Sequence, residues 1–363
     1  MDLSERRKFD SQTLVLIGGS GDVGRHLIPL LQSDGRWGIT LLSRGGGVPE
    51  GLSPSRLSGR PIDIRTPGSA TAIPDGATVV NLTEATPPVA VAAIIARGGT
   101  VLDTSATPGY IYDLSRAARN GPGLLVLCVG TAPGLSTLMG AEIARGPNVD
   151  SIDIGLELGM GRHYGLAATE WFIRALGTPY KDGQNSAIVS PGERRRGFVF
   201  GQCTRARLAL GVGFPDHGIL PAGSKTRVET YLAVDPGYVT RSIVLFLRIG
   251  LGPLLLRHAH TIARTTRLLP RLAARRTRIA VEAQTSDRRL IAARYFDGGD
   301  QAELTAAMIL IALRALPTNG WLPGKVTNIV DYLDYDTALA ELHALLPAMR
   351  IKAWRYAATG ARR

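Results

Sequence analysis

At 363 residues and a formal net charge of +12, the chain is long enough for two packed domains, each able to bury its own core. Two cysteines, Cys128 and Cys203, exclude a disulfide framework and a cysteine-built zinc site. Residues 1–10 are charged and lack the apolar core of a secretory signal, which points to the cytoplasm. The positive charge is nearly all arginine, with lysine only at Lys8, Lys181, Lys225, Lys325 and Lys352. No zinc-finger, RNP-type or basic-zipper pattern accompanies it and aromatic residues are few, so nucleic acid is not an expected partner.

From Thr13 onward, short apolar runs ending in small residues alternate with stretches of helical period, the pattern of a parallel sheet. Strands are predicted over 14–17, 39–42, 79–82, 100–103 and 124–129, with one more short strand around 61–64. Helices are predicted over 23–31, 89–97 and 112–120, the first burying Val23, Leu27, Leu30 and Leu31. After Gly130 the rhythm changes. Pro133 and Gly134 start a helix carrying Leu135, Leu138, Met139 and Ile143, and strands follow over 149–158, 198–200, 226–234, 279–285 and 289–296, the last two a hairpin across Asp287. A long helix over 301–316 closes the pattern.

The longest apolar run, 243–256, is broken by Arg248, Gly250, Gly252 and Pro253 and is shorter than the roughly 20 residues of a bilayer span. A basic stretch follows it, with Arg257, His258, His260, Arg264, Arg267, Arg271, Arg275, Arg276 and Arg278. Segment 243–278 therefore has two placements: lying in a membrane interface, or, as the plainer reading, forming an arginine-rich helix pair at a subunit or domain contact.

The chemical motif is Leu14-Val15-Leu16-Ile17-Gly18-Gly19-Ser20-Gly21-Asp22-Val23-Gly24, a glycine-rich turn between a buried strand and a helix. Gly19 and Gly21 are expected to bring the backbone close to a pyrophosphate, and Gly24 to seat the helix on the sheet. The phosphates of a dinucleotide then face the amides and positive end of that helix, through residues 18–23. Near the end of the second strand, where NAD-binding proteins carry an acid, the sequence reads Ser43-Arg44. A guanidinium there pairs with a 2′-phosphate that a carboxylate would repel, so NADP is the expected cofactor. Asp63 is a candidate adenine contact, and Asn81, Leu82 and Thr83 end a strand at the ligand-binding edge.

A short-chain dehydrogenase is disfavoured because no lysine lies four after a tyrosine, and no hydrolase elbow, His-Glu-x-x-His or P-loop is present. Four blocks, Gly18 to Gly24, Val79-Val80-Asn81, Val101-Leu102-Asp103-Thr104-Ser105 and Gly130-Thr131-Ala132-Pro133-Gly134-Leu135, resemble the saccharopine dehydrogenase (saccharopine reductase) superfamily. Looser similarity runs through 169–191 and fades over 240–278. The resemblance implies an α/β fold: a Rossmann-type doubly wound parallel sheet over 1–135, an inserted second α+β domain over 136–300, and C-terminal helices over 301–363 returning to the first. It also implies a small-molecule cleft between the domains, a homodimer, and direct hydride transfer from a nicotinamide to a C=N carbon, chemistry that the cofactor carries and the protein orients.

Candidate substrate-side residues are Asp103, Thr104 and Ser105 at a strand end, Tyr110 just after it, and His163, Tyr164 and Glu170 at the start of the second domain. His163 is suited to donate a proton near neutral pH, and Glu170 to hold a cationic amine. Three functions are open at this point: an imine reductase acting on an amino-acid or polyamine-like metabolite, a reductase of a lipid or polyketide-like enoyl or keto group at a membrane surface, and a non-catalytic NADP-binding protein.

Overall fold

The computed structural model describes residues 12–48, 56–159, 165–182, 187–201, 204–216, 226–266, 276–316 and 326–357. The first part of the chain runs β1 (Gln12–Ile17), α1 (Asp22–Asp34), β2 (Trp37–Ser43), β3 (Leu57–Pro61), β4 (Thr78–Asn81), α2 (Pro88–Ala96), β5 (Thr100–Asp103), α3 (Pro108–Ala118), β6 (Leu124–Leu127) and α4 (Leu135–Ala144). Leu14, Val15, Leu16 and Ile17 are all buried. A strand covered on both faces is the reason for this unbroken apolar run, and each such side chain contributes about 1.5–3 kcal/mol by leaving water.

The face that α1 buries is rotated from the sequence expectation: Gly24, Leu27, Ile28 and Leu31 face inward, while Val23 and Leu30 are only partly covered. Gly24 sets this rotation, because a methyl group at residue 24 would lie 1.9 Å from the Gly19 carbonyl oxygen. The helix ends at Gly35, in the left-handed region at φ 74°, whose amide closes on the Leu31 carbonyl at 3.2 Å.

The second part runs β7 (Ser151–Gly159), α5 (Leu166–Gly177), β8 (Tyr180–Lys181), β9 (Ile188–Val189), β10 (Arg195–Phe198), β11 (Arg207–Val212), β12 (Arg227–Asp235), α6 (Gly237–Arg248), α7 (Gly252–Arg257), α8 (Ala259–Thr266), β13 (Thr277–Gln284) and β14 (Leu290–Gly298). The chain then continues through α9 (Gln301–Ala315), β15 (Val326–Asn328), α10 (Tyr335–Leu345) and β16 (Lys352–Ala357). The seven strands of the first sheet are ordered β15-β6-β5-β4-β1-β2-β3, and every pairing is parallel. The second sheet, ordered β10-β11-β12-β7-β13-β14-β16, is mixed, with β12 and β7 its parallel pair.

Side chains alternate cleanly across the second sheet. Ile152, Ile154, Leu156, Leu232, Ile279 and Val281 point inward and join one continuous apolar core with the first sheet and α9. On the opposite face Arg196 pairs with Asp153 and Glu282, and Arg278 with Glu157. Helix α9 is capped by Asp300, whose carboxylate accepts from the Ala302 amide at 2.8 Å. It is buried on every side from Leu304 to Leu313, because α1 and α10 pack against it. Beyond it the chain contributes to both sheets, β15 beside β6 and β16 beside β14.

Several boundaries depart from the sequence expectation. The strand expected at 61–64 lies at β3, an edge strand in which Leu57 alone is buried, so no apolar run marked it. Helix α3 begins at Pro108, four residues before the expected start, which puts Tyr110 in its first turn. The strand expected over 198–200 is β10, and β11 between it and β12 was not anticipated.

The Gly24 contact generates a stability prediction. Gly24→Ala is expected to cost about 3 kcal/mol, since the obstructing atom is backbone and cannot step aside. Gly35→Ala, with open space around its added methyl, is expected to cost only about 1 kcal/mol for its positive φ. Urea midpoints at unchanged m-value compare the two variants, and equal losses would show that α1 can shift off the turn.

Candidate functional site

The order of the parallel sheet reverses direction between β1 and β4, and the carboxyl ends of the strands open a crevice there. Gly18, at φ 78°, turns the chain out of β1, and its amide bonds the Leu42 carbonyl at 3.2 Å. Thr83 lies directly opposite, its Cγ2 3.3 Å from the position a Gly18 side chain would take.

The three glycines of the motif differ in what demands them. A side chain at Gly19 would meet Leu41 at 2.9 Å and Leu16 at 3.1 Å, so the core crowds Gly19 from the inner side. At Gly21 an added methyl would meet only the Gly18 carbonyl, at 3.4 Å, which leaves this face of the turn open. No side chain caps α1 at its Gly21 N-cap. Its first-turn amides are therefore the donors that a pyrophosphate accepts from. An uncapped helix, an open glycine face and a left-handed turn at the switch point fit a dinucleotide. Asp22 turns its carboxylate against Gly165, just before α5, so that its side chain meets the second domain while its amide stays in the helix start.

At the end of β2, the Ser43 hydroxyl accepts from the Gly46 amide at 3.1 Å. Arg44 is exposed and forms no hydrogen bond or ion pair among the described residues. Asp63 stands close enough to feel its charge, yet its carboxylate is engaged by Arg65 at 2.6 Å, and that bonding holds it down to about 2. Asp63 and Arg65 thus occupy each other beside Arg44, which is left an uncommitted cation among the described residues.

Under the crevice lies a closed polar network. The Asn81 amide donates to Asp103 at 2.6 Å, and Asn81 Oδ1 accepts from the Thr86 hydroxyl at 2.7 Å. Tyr110 donates to the Thr86 carbonyl at 2.7 Å, and Thr104 Oγ1 donates to the Asn81 carbonyl at 3.0 Å. Ser105 is buried and its amide donates to Asp103 at 2.9 Å. These bonds, to side chains and to backbone, fix the loops of the rim, of which Leu82 and Thr83 are the half-buried part. Glu84, which the sequence did not single out, accepts from the amides of Ala106 and Thr107 at 2.9 Å each and so holds the start of α3.

The second domain reaches this rim at two places. Trp171 of α5 donates from its indole nitrogen to Thr107 Oγ1 at 3.0 Å, while its ring packs edge-on against Phe214. Asp22 meets Gly165 as described. His163 and Tyr164 lie outside the described residues. Glu170 has both carboxylate oxygens engaged, one by Arg174 and one by His260 of α8, each at 2.8 Å, and these bonds hold it below the usual carboxylate range.

Behind the crevice, α4 starts at Gly134, whose φ of 137° and 1.9 Å clearance from the Gly130 oxygen leave no room for a side chain. The Asp216 carboxylate accepts from Thr137 at 2.8 Å and Ser136 at 3.2 Å. This buried acid ties the start of α4 to the segment after β11, partners that only the fold brings together. Cys128, between Asp103 and Asp216, is buried, and that burial pushes its thiol up. No group of histidine, cysteine or acidic residues able to hold a metal occurs among the described residues.

Parallel strands, a glycine turn at the switch point and an uncapped helix beside it define a Rossmann-type dinucleotide-binding fold with a second, mixed-sheet domain. No sequence-family model and no curated protein matches the chain. Among solved structures it is similar to the apo, histidine-tagged saccharopine dehydrogenase (L-Glu forming) from Saccharomyces cerevisiae, with a TM-score of 0.61 over 95% of this chain and 100% of that one, at 12% identity. Looser likenesses join it to an engineered D-amino acid dehydrogenase (TM-score 0.46, 11% identity, 92% and 99% covered) and an amine dehydrogenase from Mycobacterium smegmatis (0.46, 8%, 90% and 97%). The chain has the fold of saccharopine dehydrogenase.

Burial pushes the carboxyls of Asp103 and Asp216 up to about 6. The folded chain then holds these protons more tightly than the unfolded chain, whose carboxyls titrate near 4. The stability they contribute is complete below that value and is lost as pH rises through about 6. Wild-type stability relative to Asp216→Asn is expected to fall by on the order of 3 kcal/mol from about pH 4 to about pH 7. Urea titrations at both values read this, and a difference that stays flat would mean that Asp216 ionises as freely in the folded chain as in the unfolded one.

Proposed function

We propose that this chain is an NADP(H)-dependent oxidoreductase that reduces the C=N bond of an amino-acid or polyamine-like metabolite. The observation that carries the reading is the pairing of an uncapped α1 N-terminus, open at Gly21, with the uncommitted Arg44 at the end of β2. The first suits a pyrophosphate. The second suits a 2′-phosphate, which Ser43 can support with a hydroxyl. The imine substrate is carried over from the blocks that resemble the saccharopine dehydrogenase superfamily and from the fold shared with the yeast enzyme.

The nicotinamide, when bound, supplies the hydride. This chain's part is binding, orientation and exclusion of water. Thr83, Thr104 and Ser105 follow the carboxyl ends of β4 and β5, the edge at which such a ring would lie, and Tyr110 fixes the loop bearing Thr86. Contacts from Trp171 and Asp22 tie the second domain to the rim, and His163, whose imidazole suits proton transfer near neutral pH, is the candidate proton donor that the sequence offers. The free, buried Cys128 fits a reducing cytoplasm. A second reading, reduction of an enoyl or keto group on a lipid or polyketide-like chain, is favoured by one observation, the apolar and arginine-bordered surface of α6.

Two substitutions test the nucleotide site. Arg44→Asp is expected to weaken NADPH by about 100-fold or more while leaving NADH within a few-fold, since it removes a phosphate partner and installs a like charge. Fluorescence titration of both nucleotides decides this, and equal losses would remove Arg44 from the 2′-phosphate site. Gly21→Val is expected to fold normally, there being no core atom in its way, and to lose binding of both nucleotides. A folded Gly21→Val protein that still binds NADPH would place the cofactor elsewhere. Oxidation of NADPH by imines formed from 2-oxo acids and amines, set against enoyl and keto thioesters, separates the two substrate readings.

A further inference from the structure

We propose that the exposed face of α6 and α7 docks the protein onto an anionic lipid surface. Helix α6 buries Thr240 and Val244 against β11 and β12. Its other side carries Tyr238, Leu245 and Ile249, which fall within a narrow arc at 100° per residue, with Phe246 beside them. Leu245 is 60% exposed and Ile249 62%, and Leu254, on the α7 that follows, is exposed as well. Other large apolar side chains on the surface, such as Val89, Tyr112 and Ile188, sit on separate elements. A cluster of this kind marks an interaction site where scattered residues do not.

Charge identifies the occupant. Arg241 and Arg248 border the apolar stripe on one side, both exposed and without an ion pair among the described residues, and Arg257 and Arg264 follow on α7 and α8. No acidic residue occurs between Asp235 and Glu282. A symmetric contact with a second copy would press this patch against itself and oppose arginine to arginine. An anionic bilayer offers phosphate to the arginines and hydrocarbon to the leucines at the depth an interfacial helix reaches. The helix lies on such a surface and does not cross it: among the described residues no helix is long and apolar enough to span a membrane.

Flotation of the full chain with vesicles of phosphatidylglycerol and phosphatidylcholine in equal parts, compared with phosphatidylcholine alone, tests this. The protein should float with the anionic vesicles at low salt and far less with the neutral ones. Leu245→Ser with Ile249→Ser should lower partitioning at least tenfold. Arg241→Ser with Arg248→Ser should also lower it, each arginine withdrawn counting for about five-fold. All four positions are exposed, so unfolding midpoints and NADPH titrations should stay at wild-type values, which separates failure of docking from failure of the nucleotide site. Absence from the anionic vesicles, or partitioning undiminished by both double variants, would overturn the proposal. So would a concentration-dependent dimer that Leu245→Ser with Ile249→Ser dissolves, since a second copy would then cover the face.

Discussion

The carbonyl oxygen of Gly19 stands where any side chain at residue 24 would have to go. That crowding presses α1 onto the end of β1 and fixes how the helix is rotated. Everything layered on the helix inherits the rotation. Helix α9 packs against α1, and Arg314 near its end pairs with Asp34 at 2.8 Å, so the seating of the later chain depends on the same turn. The tightness is one-sided: inward, Gly19 and Gly24 admit no atom, while outward Gly21 faces open space beside helix amides that no side chain caps. A turn built this way holds its donors rigid without filling the space in front of them.

The buried polar groups have a matching logic. Asn81, Asp103, Thr86 and Tyr110 satisfy one another where an unpaired group would cost about 1–3 kcal/mol. They hold the ends of β4 and β5 in register with the turn after β1. Thr107, at the start of α3, is grasped by Glu84 from one side and touched by Trp171 from the other. The rim is thus set by the first domain and closed by the second.

The first sheet is legible because its central strands are buried on both faces and read as short apolar runs, unbroken at 14–17 and at 124–129 and ending in a polar residue at 79–81 and 100–103. β3, with one buried residue, and β16, mostly exposed, carry no such run, so burial could not announce them. Their existence is a property of the sheet edges they complete. The strand-turn-helix around Gly18 to Gly24 is legible because a local motif encodes it, and Ser43 and Arg44 are found by their distance from that motif along the chain. Sequence spacing puts Asn81 at a strand end but does not show that Asp103 and Thr86 take up its amide. Leu16 and Leu41 crowd Gly19 from the core side, a demand that the motif alone does not reveal. Asp216 and Trp171 carried no local signal, since what gives each its role, Ser136 and Thr137 in one case and Thr107 in the other, lies far away in sequence. Segment 243–278 posed two placements, and burial of Val244 beside exposure of Leu245 is a distinction that composition does not contain.

The arrangement of β15 and β16 bears on how the molecule is made. One adds to the edge of the first sheet and the other to the edge of the second, and the wholly buried α9 precedes both. On the ribosome neither sheet can be finished in order, because each waits for residues 326–357. Until then the flanks of β6 and β14 are open edges, and the apolar surfaces that receive α9 are bare. The two sheets are therefore completed by one and the same stretch of chain, so neither is closed at that edge before the other's last strand is nearly made.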